Sequence, residues 1–306
     1  MKVVFFGTPG YAEKILNDLI DHKVNIVGVV TRPDKPKGRS KKLQAPMVKI
    51  CAEQRLPGIP IFQPTRASTL EFAEALKELE PDLFVVIAYG EIIKQFLLDV
   101  PKFMCINVHF SLLPRWRGAA PMQRALMAGD KETGVCVIEM VAGMDAGDVL
   151  GVSKISVPSE MTCGELGDKL CALGGPLVRQ VIDEIAQGKE TRIVQDISKV
   201  TMAPKITSEE ARIDWTLDAE TVHNHIRALN PAPGAWCLVE IGGQTKRLKI
   251  LRCKPHREKR QFYDASGWHE SCGEGSIELV EVQLEGKKPM TTKTFSSGCS
   301  TISILK

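Results

Sequence analysis

The chain has 306 residues, with 40 Lys and Arg against 37 Asp and Glu and a net charge of +3; it is long enough for two hydrophobic cores, and too evenly charged for net charge alone to argue nucleic-acid binding. Hydrophobic residues make up 43% and charged residues 25%, the balance of a folded protein and not of a disordered one. Nine scattered cysteines without a Cys-x-x-Cys pair argue against a cysteine zinc site and a disulfide framework, and with no signal-like or membrane-length apolar run a cytoplasmic protein is expected.

Val3 to Phe6 is an apolar run closed by Gly7-Thr8-Pro9-Gly10, and Ala12, Ile15, Leu16, Leu19 and Ile20 follow at helical spacing, which predicts a strand, a tight turn and an amphipathic helix. A strand over Val24 to Val30, a helix at about Pro46 to Glu53, a third strand ending at Gln63-Pro64, a helix over Ser68 to Leu79 and a strand over Leu83 to Ala88 continue the alternation. That order predicts an α/β fold with a Rossmann-like, mostly parallel sheet and helices on both faces. The opening turn carries Pro9 where a dinucleotide fingerprint needs its second glycine, so NAD is not expected.

Thr31 to Lys49 sets Arg32, Lys35, Lys37, Arg39, Lys41, Lys42 and Lys49 against the single acid Asp34. Such a run is either a solvated loop or a surface for phosphates. The strand end at Val86 to Gly90 should present apolar walls and backbone groups suited to a flat heterocycle.

Phe103 to Ile106 is a buried strand end, after which the chain opens into Asn107-Val-His-Phe-Ser-Leu-Leu-Pro-Arg-Trp-Arg-Gly-Ala-Ala-Pro121. Alternation puts Asn107 and His109 on one side of the strand, at the carboxyl edge where α/β sheets bind ligands. An uncharged amide donor beside an imidazole suits a carbonyl that becomes an oxyanion while a proton moves. Capping of backbone groups would explain the same pair without chemistry. Asp145, in Ala-Gly-Met-Asp-Ala-Gly-Asp, would fix the tautomer of His109 if the fold brings it near. Arg115 and Arg117 flank Trp116, as surface cation-π packing or as a ledge for a charged substrate.

A helix over Ala119 to Met127, strands over Val135 to Met140 and Val149 to Val157, and a helix over Met161 to Ile185 complete the first domain. Gln195 to Lys205 is expected to lead out of it. Ser208-Glu209-Glu210 reads as a helix start, Ala219 to Leu229 as a helix, and Trp236 to Ile241, Leu248 to Leu251, Ile277 to Leu284 and Thr301 to Leu305 as short strands. These predict a C-terminal OB-like β-barrel domain, with domains at 1–206 (its linker at about 188–206) and 207–306. Lys246, Arg247, Lys249, Arg252, Lys254, Arg257, Lys259 and Arg260 form a basic stripe opposed only by Glu258, from solvation or from contact with an RNA backbone.

Asn107, His109, the Ser-Leu-Leu-Pro-Arg-Trp-Arg-Gly-Ala-Ala-Pro run and Asp145 resemble the folate-dependent formyltransferase family, most closely its branch acting on methionyl-tRNA. Arg227-Ala-Leu-Asn-Pro231 and Gly286-Lys-Lys-Pro-Met290 extend the resemblance over essentially the whole chain. It implies formyl transfer from 10-formyltetrahydrofolate to the amino group of initiator methionyl-tRNA, for translation initiation, with Asn107, His109 and Asp145 catalytic and no metal. It further implies a pterin ring held at Ala88, Tyr89 and Gly90, with Ser111, Leu112, Leu113 and Pro114 on its other side. Arg39, Lys41, Lys42, Lys246, Arg247 and Lys249 would meet the tRNA, and a monomer is expected. Phe110 departs from the small residue that the family commonly carries there, either turning into the core or narrowing the folate pocket. Sugar-nucleotide formyl transfer, and RNA binding without catalysis, remain as rival readings.

Overall fold

A computed structural model describes residues 1–37, 42–264, 267–298 and 302–305. Two compact units are present: residues 1–118, 133–155 and 167–202, and residues 119–132, 156–166 and 203–306. In chain order the elements begin with β1 (Val3–Gly7), α1 (Gly10–Asp21) and β2 (Ile26–Val30), then a ribbon of β3 (Lys35–Lys37) and β4 (Lys42–Gln44). They continue through α2 (Met47–Arg55), β5 (Ile61–Phe62), α3 (Leu70–Lys77), β6 (Leu83–Ile87), α4 (Gln95–Leu98) and β7 (Met104–His109). After α5 (Pro121–Met127) come β8 (Glu132–Glu139), β9 (Val149–Ser156) and α6 (Cys163–Ala186).

The first sheet has the order β5-β2-β1-β6-β7-β8-β9. β1 pairs in parallel with β2 and β6, β2 with β5, and β6 with β7, while β8 runs antiparallel to β7. Every residue of β1 and β6 is buried, as expected for parallel strands covered on both faces. On one face Val4, Phe6, Phe84, Val86 and Cys105 share a core with Phe72, Ala73 and Leu76 of α3 and Leu97 and Leu98 of α4. On the other, α6 lies close: a Cβ on Gly174 would stand 2.9 Å from Ile15 of α1 and 3.7 Å from Val108 of β7. Each large apolar side chain so buried contributes about 1.5–3 kcal/mol.

Strand order reverses between β1 and β6, so their carboxyl ends open a crevice. The Thr8 hydroxyl donates to the Tyr89 carbonyl at 3.0 Å and ties the two loops at its rim together. The second strand starts at Ile26, two residues later than expected, because Val24 still bonds back to Leu19 at the end of α1.

The second unit holds α7 (Ala219–Leu229), β10 (Ala235–Ile241), β11 (Gln244–His256), β12 (Phe262–Asp264), β13 (Gly267–Ser271), β14 (Ser276–Leu284), β15 (Met290–Thr291), α8 (Thr292–Gly298) and β16 (Ser303–Leu305). Its sheet runs β12-β13-β14-β11-β10-β16, with β15 on β14, and every one of these pairs is antiparallel. Phe262 and Tyr263 at one end of that order and Ile302, Ser303 and Ile304 at the other line one cavity of 310 Å³, so the sheet curls into a half-barrel. Asp218 caps α7 by accepting the Thr221 N–H at 2.9 Å, and Val222, Ile226 and Leu229 bury against Trp215, Ile250 and Leu279.

Two expectations need correction. Ser208-Glu209-Glu210 makes a turn, not a helix start: Thr207 Oγ1 accepts the Glu210 N–H at 3.1 Å, but Glu210 is drawn to Arg124 and the turn is not continued. The strand expected at Leu248 to Leu251 spans Gln244–His256, because its basic residues alternate with buried ones instead of ending it.

Candidate active site

The carboxyl end of β7 delivers Asn107 and His109, and the loop after β8 delivers Asp145. The Asn107 amide donates to Asp145 Oδ1 at 3.4 Å, and His109 Nδ1 lies 3.5 Å from Asp145 Oδ2. Asp145 Oδ2 also accepts the Gly118 N–H at 2.8 Å. The three side chains, separated by up to 38 positions in sequence, therefore meet around one carboxylate. His109 Nε2 is 2.9 Å from the Trp116 carbonyl, which can only accept. Both ring nitrogens thus face oxygen acceptors, and a ring carrying both protons satisfies both. His109 is 5% exposed, so these bonds lie where water competes little.

The carboxylate loop is held by shape. Asp145 itself has φ 48, and a Cβ on Gly147 would stand 1.9 Å from the Glu139 carbonyl oxygen, so only glycine fits there.

The loop from 111 to 118 is stapled by residues that sequence reasoning passed over. Gln195 Nε2 donates to the Asp145 carbonyl at 2.8 Å and to the Gly147 carbonyl at 2.7 Å. Its Oε1 accepts from Arg117 Nε and Nη2 at 3.0 and 2.8 Å. Thr201 accepts the Trp116 N–H at its hydroxyl and the Arg117 N–H at its carbonyl, both at 2.9 Å. The segment expected to lead out of the domain thus folds back on the loop first. A lone Gln in a stretch without periodicity gives no signal for this.

The expected folate residues are placed unevenly. Ala88 and Gly90 are exposed, with left-handed backbones at φ 45 and 83, and offer main-chain groups to a ligand. Tyr89 between them turns into the core, edge-on to Phe6 at 5.5 Å, and burial pushes its phenol up to about 12. Ser111 is 0% exposed and donates to the Arg115 carbonyl at 2.7 Å, so its hydroxyl shapes the loop. Leu113 packs on Cys136, Ile138 and Val149, a Cβ on Gly134 of β8 would meet Leu112, and Pro114 is half-buried. Phe110 is buried edge-on to Tyr11 of α1 at 6.0 Å. Arg115 stacks over Trp116 at 4.2 Å.

Among the basic residues, Arg39 and Lys41 lie outside the described residues, and Lys42 is exposed on β4. Arg32 pairs with Glu91 and Lys49 with Asp34, leaving less free charge than the sequence counted. On β11, Lys246 pairs across to buried Val239 while Arg247 and Lys249 pair to Leu238 and Trp236. Alternation therefore puts Arg247 and Lys249 on one face and Lys246 on the other, and the three do not form a single patch. Arg247 stacks over Trp236 at 4.0 Å, and Lys249 donates to the Pro233 carbonyl at 2.6 Å. Arg252 pairs with Glu165 and Arg260 with Glu258.

Residues 1–182 match the formyl transferase family and residues 205–300 match the formyl transferase C-terminal domain. The chain is 46% identical over 306 residues to methionyl-tRNA formyltransferase of Protochlamydia amoebophila, covering 98% of this chain and 96% of that one. It is 40% identical to the protein of that name from Brucella anthropi, over 100% of both. Among solved structures, it resembles HypX from Aquifex aeolicus in complex with tetrahydrofolic acid, with a TM-score of 0.65, 15% identity, and 97% of this chain on 47% of that one. It also resembles the N-formyltransferase from Helicobacter canadensis in complex with folinic acid and dTDP-3-aminofucose, with a TM-score of 0.67, 18% identity, and 93% of this chain on 99% of that one. At such identities these two structures speak for the fold alone.

Proposed function

The chain belongs to the formyl transferase family, and from that premise we propose that it transfers the formyl group of 10-formyltetrahydrofolate to the amino group of methionyl-tRNA, giving N-formylmethionyl-tRNA for translation initiation. The observation that carries the chemistry is the convergence of Asn107 and His109 on Asp145 at the carboxyl end of β7.

The attacking α-amine, with an ordinary pKa of about 8, is partly neutral near pH 7. As it adds to the formyl carbon, the carbonyl oxygen gains negative charge. Asn107 donates a hydrogen bond to that oxygen, and His109 donates a second once its Nε2–H exchanges the Trp116 carbonyl for the substrate. Asp145 orients His109 and takes up the proton that leaves the amine, directly or through one water. Collapse of the tetrahedral carbon then breaks its bond to the folate nitrogen, which regains a proton, and leaves the new amide. Ala88 and Gly90 hold the pterin by main-chain groups, against the wall made by Leu112, Leu113 and Pro114. The co-substrate supplies the one-carbon unit, so the transfer itself asks for no metal.

Residues 1–206 form the catalytic domain and residues 207–306 the tRNA-binding domain, working as a monomer in the cytoplasm. Lys42, Arg247 and Lys249 meet the tRNA backbone, joined by Arg39 and Lys41, with Lys246 approaching from the opposite face of its strand. The test is turnover of His109→Ala and Asp145→Asn with both substrates saturating. Each should fall on the order of a hundredfold or more, with tRNA affinity kept. Wild-type turnover in either variant rejects these roles.

A further inference from the structure

Three strands of the second unit bring together two imidazoles and a carboxylate, none of them assigned to formyl transfer. His256 ends β11, His269 lies in β13 and Glu278 in β14. In the register, His269 is opposite Glu278, and His256 is opposite Ser276, two residues before it. Alternation therefore sets all three on one face, while Ile277 and Leu279 face the core. His256 Nε2 is 3.1 Å from Glu278 Oε2, and one ligand atom from each of the three lies within 4.8 Å of the others.

An ion pair between His256 and Glu278 accounts for two of these residues and leaves His269 without a reason. His269 is 7% exposed, and its Nδ1 has no hydrogen-bond partner among the described residues. Phe262 stacks on one face of its ring at 4.6 Å, and the His256 ring lies at 5.1 Å.

We propose that His256, His269 and Glu278 bind a divalent cation of the zinc class and so staple β11, β13 and β14 together. Two nitrogens and one carboxylate oxygen are a borderline-soft donor set, which zinc takes at about 2.0–2.2 Å with tetrahedral angles. Ligand atoms then stand about 3.3 Å apart, close to the present spacing of His256 and Glu278, so His269 has the larger adjustment to make. The ion would close the chain between 256 and 269 into a loop bearing Arg257, Lys259 and Arg260, and fix where those basic groups are displayed. The cysteine spacing noted above has no bearing on a site without thiolates. The buried thiols are poor competitors: burial pushes Cys51 and Cys136 up to about 11 and Cys163 and Cys237 up to about 12, so they stay protonated near neutral pH.

The full chain, stripped with a chelator and titrated with Zn²⁺ or Co²⁺ alone, tests this. Zinc should bind stoichiometrically and raise the thermal midpoint. Cobalt should give visible bands of nitrogen and oxygen ligation without the near-ultraviolet band of a thiolate. His256→Gln and Glu278→Gln, both at partly exposed positions, should each weaken binding by more than the 10–100-fold typical of outer-shell partners and leave the metal-free midpoint in place. Absence of binding by the wild-type chain, a thiolate band, or unchanged binding in these variants overturns the proposal. Should a variant fail to fold, the cobalt spectrum of the wild-type chain still decides.

Discussion

Asp145 accepts from Asn107 and from the backbone of Gly118 and faces His109, so one carboxylate sets the direction of two donors. Its own position depends on Gln195, which holds the carbonyls of Asp145 and Gly147 on one side and Arg117 on the other. Gln195 is a positioning residue in this account. Gln195→Ala should lower kcat by about ten- to a hundredfold, the cost of misplacing a reacting group by an ångström or so. The KM for methionyl-tRNA should change little, because Gln195 holds the Asp145 loop and not the acceptor. A variant with wild-type kcat removes Gln195 from the mechanism. Asn107, His109 and Asp145 were legible because unusual residue types sat at strand ends between turn residues. Gln195 was not, since its importance lies in four hydrogen bonds that only the folded chain brings together.

At the scale of elements, the alternating apolar runs revealed the parallel strands because both faces of such a sheet are buried and their sequences are almost purely apolar. β11 was read too short for the opposite reason, since basic residues on its outer face hid a strand of 13 residues. Ser208 to Glu210 misled because the same residue types start helices and close isolated turns. The loop before β9 rests on one steric fact, the approach of Gly147 to the Glu139 carbonyl. Gly147→Ala should therefore lower stability by about 1–3 kcal/mol, read as a drop in the thermal midpoint; an unchanged midpoint would show that the loop can move aside. In α7, burial lowers the pKa of His225 below 6.5, and its Nε2 has no partner among the described residues. Between its folded and unfolded pKa values the unfolded chain binds more protons, so stability rises with pH there. This contribution is present above the unfolded pKa and lost as pH falls through the folded one. The thermal midpoint should decline as pH falls below the ordinary histidine value of 6.5, and His225→Gln should flatten that slope. An equal slope in the variant would place the effect elsewhere.

For the whole molecule, the net charge of +3 concealed how the basic residues are used. Arg252 and Arg260 are neutralised by glutamates, while Arg247 and Lys249 share the outer face of β11 beside Trp236. Arg247→Ala and Lys249→Ala should each weaken RNA binding and reduce the slope of log affinity against log salt by about one. Arg260→Ala, which removes a paired charge, should change the slope less. Equal effects from all three would point to diffuse attraction in place of contact. The central claim is tested by incubating the purified chain with labelled 10-formyltetrahydrofolate and charged initiator tRNA, with an amino sugar nucleotide offered in parallel. The account predicts label on the methionyl amine of the tRNA, lost in His109→Ala; label on the sugar alone, or on neither acceptor, would contradict it.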